Sequence, residues 1–139
     1  MSSNAYYRHL RSVPLFADLS RRELEVVGQA ATDLELPAGR VLITEGSSGH
    51  EMFVVTDGTL DVTADGEHLA EIGPGEFVGE MALLTHCPRN ATVTATTDVT
   101  VIHLDGRAFS RILEEAPQIA VKMLPVVAGR VAGREGRPC

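Results

Sequence analysis

The sequence predicts an α+β domain in which many short strands, arranged as a sandwich or a barrel, are flanked by helices at both ends. Three observations predict it. Between residues 32 and 105, short apolar or β-branched runs alternate with turn signals about every 8–12 residues. On either side of that stretch, apolar residues recur at helical spacing. No repeat, low-complexity tract or linker divides the 139 residues. One domain is therefore expected, helical over 1–31, stranded over 32–105 and helical again over 106–134.

The N-terminal helix is signalled by Ser20, a good N-cap, and by Glu23, which completes an S-x-x-E capping box. Leu24, Val27 and Ala31 follow at helical spacing, and Pro37-Ala38-Gly39 ends the helical region. The strand runs are Val41 to Ile43, Met52 to Val55, Leu60 to Thr63, Thr92 to Thr97 and Val99 to Leu104. Asp57-Gly58 and Asp65-Gly66 are hairpin signals, because glycine accepts positive φ without steric cost. Pro74-Gly75 is a further turn. After Leu104 the helical period returns: Asp105 can cap, and Phe109, Ile112 and Leu113 form a stripe. Pro117 suits the start of the last helix. Pro125 and the glycines at 129, 133 and 136 should weaken that helix.

Composition excludes several functions. Twelve Lys+Arg against nineteen Asp+Glu give a net charge of −7, which opposes binding to a polyanionic nucleic-acid backbone. Aromatic residues are only 4% and tryptophan is absent, so base-stacking platforms are scarce. No apolar run approaches the roughly 20 residues of a membrane span, and the N-terminus lacks a secretory h-region. Cys87 and Cys139 form no C-x-x-C, which disfavours a disulfide scaffold and a cysteine zinc site. A cytoplasmic protein is expected.

Chemistry concentrates in one place. Between Arg40 and Arg107 the only Lys or Arg is Arg89, set among eleven carboxylates. A lone arginine in an acidic body is an ion-pair partner or an anion receptor, since its planar fork suits phosphate or carboxylate. Its surroundings favour the receptor. Gly79 permits close backbone approach, and residues 80–84 (EMALL) can form one helical turn whose amides face an anion. Pro88 stiffens the return, and Arg89 is expected to open the next strand. Amide donors, one carboxylate and one guanidinium match a ligand carrying both a phosphate and a hydroxyl.

The segment G-E-M-A-L-L-x-x-x-P-R-N-A-T-V closely resembles the phosphate-binding cassette of cyclic nucleotide-binding domains, and the resemblance extends over nearly the whole chain. It implies an antiparallel jelly-roll-like β-barrel flanked by N-terminal and C-terminal helices. It also implies roles. Arg89 would hold the cyclic phosphate and Glu80 would accept the ribose 2′-hydroxyl. Gly79, Met81, Ala82, Asn90 and Ala91 would line the ligand, with amides near Ala82 and Asn90 completing the phosphate shell. Leu60 and Leu69 fall where the family contacts the purine. Asn90 departs from the usual Ala, Ser or Thr after the arginine, which leaves base choice open between cyclic AMP and cyclic GMP.

The resemblance implies a sensor module and not an enzyme, with a cyclic nucleotide as ligand and no cofactor. Nucleic acid and membrane are not expected partners, and no output element identifies the effector. Residues 117–139 carry a local charge of +3, so the last helix could close over an anionic ligand, with Arg130 or Arg134 stacking on the base. Two rivals stand beside this reading. One is a cupin-like metal protein, for which His50, His68, His86 and His103 form no ligand-spaced pair. The other is a degenerate domain of the same fold that serves as an interaction surface.

Overall fold

The computed structural model describes residues 3–133. They divide into two compact units, residues 3–32 with 107–133, and residues 33–106.

The first unit is helical. It holds α1 (Ser3–Arg11), a 3-10 turn (Pro14–Phe16), α2 (Arg21–Ala30), α4 (Gly106–Glu115, whose first residue lies in the other unit) and α5 (Gln118–Gly133). The capping box forms as expected. Ser20 Oγ accepts from the Glu23 amide at 3.2 Å, and the Glu23 carboxylate accepts from the Ser20 amide at 2.8 Å. The Glu23 carboxyl therefore titrates below the usual carboxylate range, chiefly because of the Ser20 amide and then because of Gln118. Gln118 donates to Glu23 at 2.7 Å, while Lys122 bonds the Pro14 carbonyl and pairs with Asp18. These contacts tie the first turns of α5 to the N-terminal segment. The helix continues through Pro125 to Gly133. Its buried anchors, Ile119 and Met123, both precede the proline.

The second unit contains the strands: β1 (Thr32–Leu36, its first residue in the helical unit), β2 (Val41–Ile43), β3 (Glu51–Asp57), β4 (Leu60–Ala64), β5 (Glu67–Ile72), β6 (Phe77–Val78), β7 (Thr92–Ala95) and β8 (Val99–Asp105). They form two four-stranded sheets, ordered β1-β8-β3-β6 and β2-β7-β4-β5. The registered pairings are antiparallel. The jelly-roll-like expectation holds loosely, because the sheets keep their edges and do not close into a barrel. Of the two hairpin signals, Asp65-Gly66 closes the β4–β5 hairpin as read, whereas Asp57-Gly58 links β3 to β4 across two different sheets and closes no hairpin. Asp65 and Gly66 both have positive φ, and Gly75 takes φ +89° in a turn closed by a Glu76 amide to Gly73 carbonyl bond. The core joins side chains of both sheets, with Phe53, Val55, Leu60, Val93 and Val101 at 4% exposure or less. Burying each such side chain contributes about 1.5–3 kcal/mol. One expectation is corrected here: Cys87 is disulfide-bonded; Cys139, the other cysteine of the sequence, lies outside the described residues.

Candidate functional site

The cassette begins where β6 ends. Gly79 has φ +93°, a conformation that side chains adopt only at a cost. A Cβ there would lie 2.8 Å from the Glu51 carbonyl oxygen and 3.1 Å from an Arg89 guanidinium nitrogen. Conformation and space both require glycine. The turn sets Glu80 at the first position of α3 (Glu80–Thr85), where it is only 1% exposed. Met81 and Ala82 are buried beside it. The helix ends at His86, in a left-handed conformation, with its amide donating to the Ala82 carbonyl at 2.9 Å.

Arg89 stands in the loop before β7 and does not open that strand, which starts at Thr92. The loop 44–50 claims its backbone instead. The Arg89 amide donates to the Ser47 carbonyl and its carbonyl accepts from the Gly46 amide, each at 2.8 Å. The side chain turns inward, 7% exposed. Nη1 donates to the Gly79 carbonyl at 2.8 Å and Nη2 donates to the Glu51 carbonyl at 2.6 Å. Burial pulls the guanidinium pKa below its ordinary value, while the nearby Glu51 and Glu80 carboxylates push it up. From so high a starting point the group stays cationic at neutral pH.

Two participants escaped the sequence reading. Gly49 lies so close to the guanidinium that a Cβ would stand 1.9 Å from Nε and 2.2 Å from Cζ of Arg89. Nothing local in the sequence signals this contact. Glu51 holds Arg89 through its carbonyl, and its carboxylate is hydrogen-bonded to Nε2 of His103. Neither residue stands near the cassette in sequence.

The remaining expected residues are dispersed. Asn90 is exposed and Ala91 is buried beside β7. Leu60 lies within the core at 0% exposure, whereas Leu69 is 58% exposed on β5. Arg130 lies on α5, in the helical unit, and Arg134 falls outside the described residues. Among the described residues no three of His, Cys, Asp or Glu are grouped to hold a metal ion, and no helix is long and apolar enough to cross a membrane.

Glu80 and Arg89 are the buried charged residues of the described chain. Two of the five guanidinium N–H donors are held by carbonyls, and the others can meet an anion. Two four-stranded sheets with a buried cation and a buried carboxylate at the two ends of one short segment define the class of the domain. The chain belongs to the cyclic nucleotide-binding domain family, whose model matches residues 33–116. It is 38% identical over 109 residues to a cyclic nucleotide-gated potassium channel of Rhizobium etli, covering 78% of this chain and 30% of the channel. It is 37% identical over 110 residues to a cAMP-dependent protein kinase regulatory subunit of Yarrowia lipolytica, covering 78% of this chain and 29% of that subunit. The chain thus spans less than a third of these relatives. Among solved structures, PKAR CBD2 bound to Sp-2Cl-cAMPS is similar at a TM-score of 0.78 and 25% identity, over 95% of this chain and 90% of that one. The catabolite activator protein of Thermus thermophilus is similar at a TM-score of 0.76 and 25% identity, over 88% and 60%.

Proposed function

We propose that this domain binds a cyclic purine nucleotide, cyclic AMP in preference to cyclic GMP, and acts as a cytoplasmic sensor module without catalysing a reaction. The observation that carries the reading is the pairing of buried Arg89 with buried Glu80 at the two ends of one short segment. Arg89 receives the cyclic phosphate, helped by the amides of Ala82 and Asn90. Glu80 accepts the ribose 2′-hydroxyl. Gly79, Met81 and Ala91 shape the wall, and exposed Leu69 offers an apolar contact to the purine, while Leu60 belongs to the core. The channel and the kinase regulatory subunit among the relatives support a regulatory role, exerted on an effector through a population shift. Arg130 and Arg134 belong to the segment that would respond to the bound base.

Isothermal calorimetry with cyclic AMP, cyclic GMP and linear AMP tests this. Cyclic AMP should bind most tightly and linear AMP most weakly. Absence of binding by either cyclic nucleotide sinks the proposal and leaves an interaction surface of the same fold.

A further inference from the structure

We propose that the His103–Glu51 pair tunes the anion affinity of Arg89, so that cyclic nucleotide binding tightens as His103 takes up a proton. The inference rests on the reading of Arg89 as the phosphate receptor. The pairing of β3 with β8 sets it up. That register places Phe53 opposite His103 and Glu51 opposite Asp105. The His103 ring lies against Phe53, with centroids 5.5 Å apart, which fixes the imidazole while Nε2 meets the Glu51 carboxylate. The same Glu51 residue holds Arg89 by its carbonyl at 2.6 Å. A proton on His103 therefore changes the net charge of a pair whose Glu51 also touches Arg89.

The sign follows from electrostatics. With His103 neutral, Glu51 is a bare negative charge that attracts Arg89 and repels an incoming phosphate. With His103 protonated, the pair is neutral and that repulsion is cancelled. The other charged groups nearby are Asp105 on β8, Glu80 on α3, Arg89 itself, and Asp33 and Glu35 on β1, the second neighbour of β8. Phe77 and Val78 of β6 add none. Of all these, a histidine alone has an ordinary pKa within the range of about pH 5 to 8. His50, directly before Glu51, is the one competing histidine beside the pair. Linkage is reciprocal: if protonation strengthens nucleotide binding, the bound nucleotide must raise the proton affinity of His103. His103 is thus a positioning residue, acting on the ligand through Glu51. His103 and Glu51 are 25% and 44% exposed, so solvent screens the effect to about threefold in affinity, with a ceiling near fivefold.

The test is calorimetric titration with cyclic AMP from about pH 5.5 to about pH 8, in buffers of different ionisation enthalpy so that proton uptake is read directly. Wild type should bind about threefold more tightly at the acid end and take up a fraction of a proton on binding. His103→Gln should still bind, with a flat pH profile and no uptake from this pair. Glu51→Gln should bind more tightly than wild type at the alkaline end, because the carboxylate that repels the phosphate is gone. His50→Gln should keep the wild-type profile. A flat wild-type profile, or a dependence that survives His103→Gln, overturns the inference and leaves the phosphate reading standing. Failure to bind cyclic AMP at any pH overturns both.

Discussion

Replacing Gly49 by alanine perturbs the receptor without altering any residue assigned to the ligand. The backbone at Gly49 is not in the left-handed region, so alanine brings no conformational strain. Its Cβ would stand 1.9, 2.2 and 2.7 Å from Nε, Cζ and Cδ of Arg89. All three atoms belong to the outer part of a flexible side chain, so the guanidinium must move and the loop need not. That movement breaks the 2.8 Å bond to the Gly79 carbonyl and the 2.6 Å bond to the Glu51 carbonyl. Bonds from a charged donor contribute about 1.5–3 kcal/mol each, an upper limit of about 3–6 kcal/mol. Rehydration of the freed guanidinium returns much of this, so the expected loss of folding stability is about 1–3 kcal/mol. The affinity loss is a separate quantity. A displaced Arg89 forfeits a charge-assisted contact to phosphate, about 1.5–3 kcal/mol, or roughly 10- to 150-fold. Calorimetry with cyclic AMP, run beside urea unfolding, reads the two quantities independently. Gly66→Ala is the control: φ is +79° and no atom lies within 4 Å, so it should cost about 1–2 kcal/mol of stability and leave affinity unchanged. A folded Gly49→Ala protein that binds within about threefold of wild type, under 1 kcal/mol, would refute the reasoning.

Arg89→Ala should lower cyclic AMP affinity at least about tenfold and also lower the urea midpoint, because the Gly79 and Glu51 carbonyls lose their donor; Arg89→Lys, a single point donor, should recover only part of both. Wild type should bind 2′-deoxy cyclic AMP less well than cyclic AMP, and the difference should shrink in Glu80→Ala; equal discrimination in both proteins would remove Glu80 from the ribose. Ser20→Ala should cost about 1 kcal/mol of stability in urea unfolding. The Glu23 carboxyl is held below its unfolded value, so its contribution is complete above about pH 4.3 and is lost as pH falls through the lower folded value; Glu23→Gln and wild type should therefore converge in stability at strongly acid pH. Hydrogen exchange should slow in the cassette and in α5 from Val126 onward when cyclic AMP is added, and protection of the cassette alone would exclude a role for α5.

Features governed by neighbouring residues were legible in the sequence. The Ser20–Glu23 box, the Asp65-Gly66 turn and the glycine before Glu80 each depend on a few adjacent positions, and each forms as read. β5 was harder to see. Glu67, His68 and Glu71 give it no β-branched signal, and its place at a sheet edge requires none. β6 is two residues long and exists only through its pairing with Phe53 and Val54. The expectation that Arg89 opens a strand failed because its backbone partners, Gly46 and Ser47, come from a distant loop. Gly49 and His103 were invisible for the same reason: their roles arise from tertiary contacts. The persistence of α5 through Pro125 also has a nonlocal source, since Gln118 and Lys122 anchor its first turns.

The strand pairing also sets an order of events as the chain is made. Arg89 is oriented by carbonyls at 51 and 79 and by the loop at 46–47, and β3, which carries Glu51, takes its long partner from β8. Gly79 lies ten residues from Arg89, but the other closures join residues far apart in the chain, and such loops form slowly. The pairing that frames β3 is therefore complete on a ribosome only after Asp105 has emerged. A nascent chain that has already exposed the whole cassette should remain blind to the nucleotide until β8 docks, after which binding adds stability to the completed sheet.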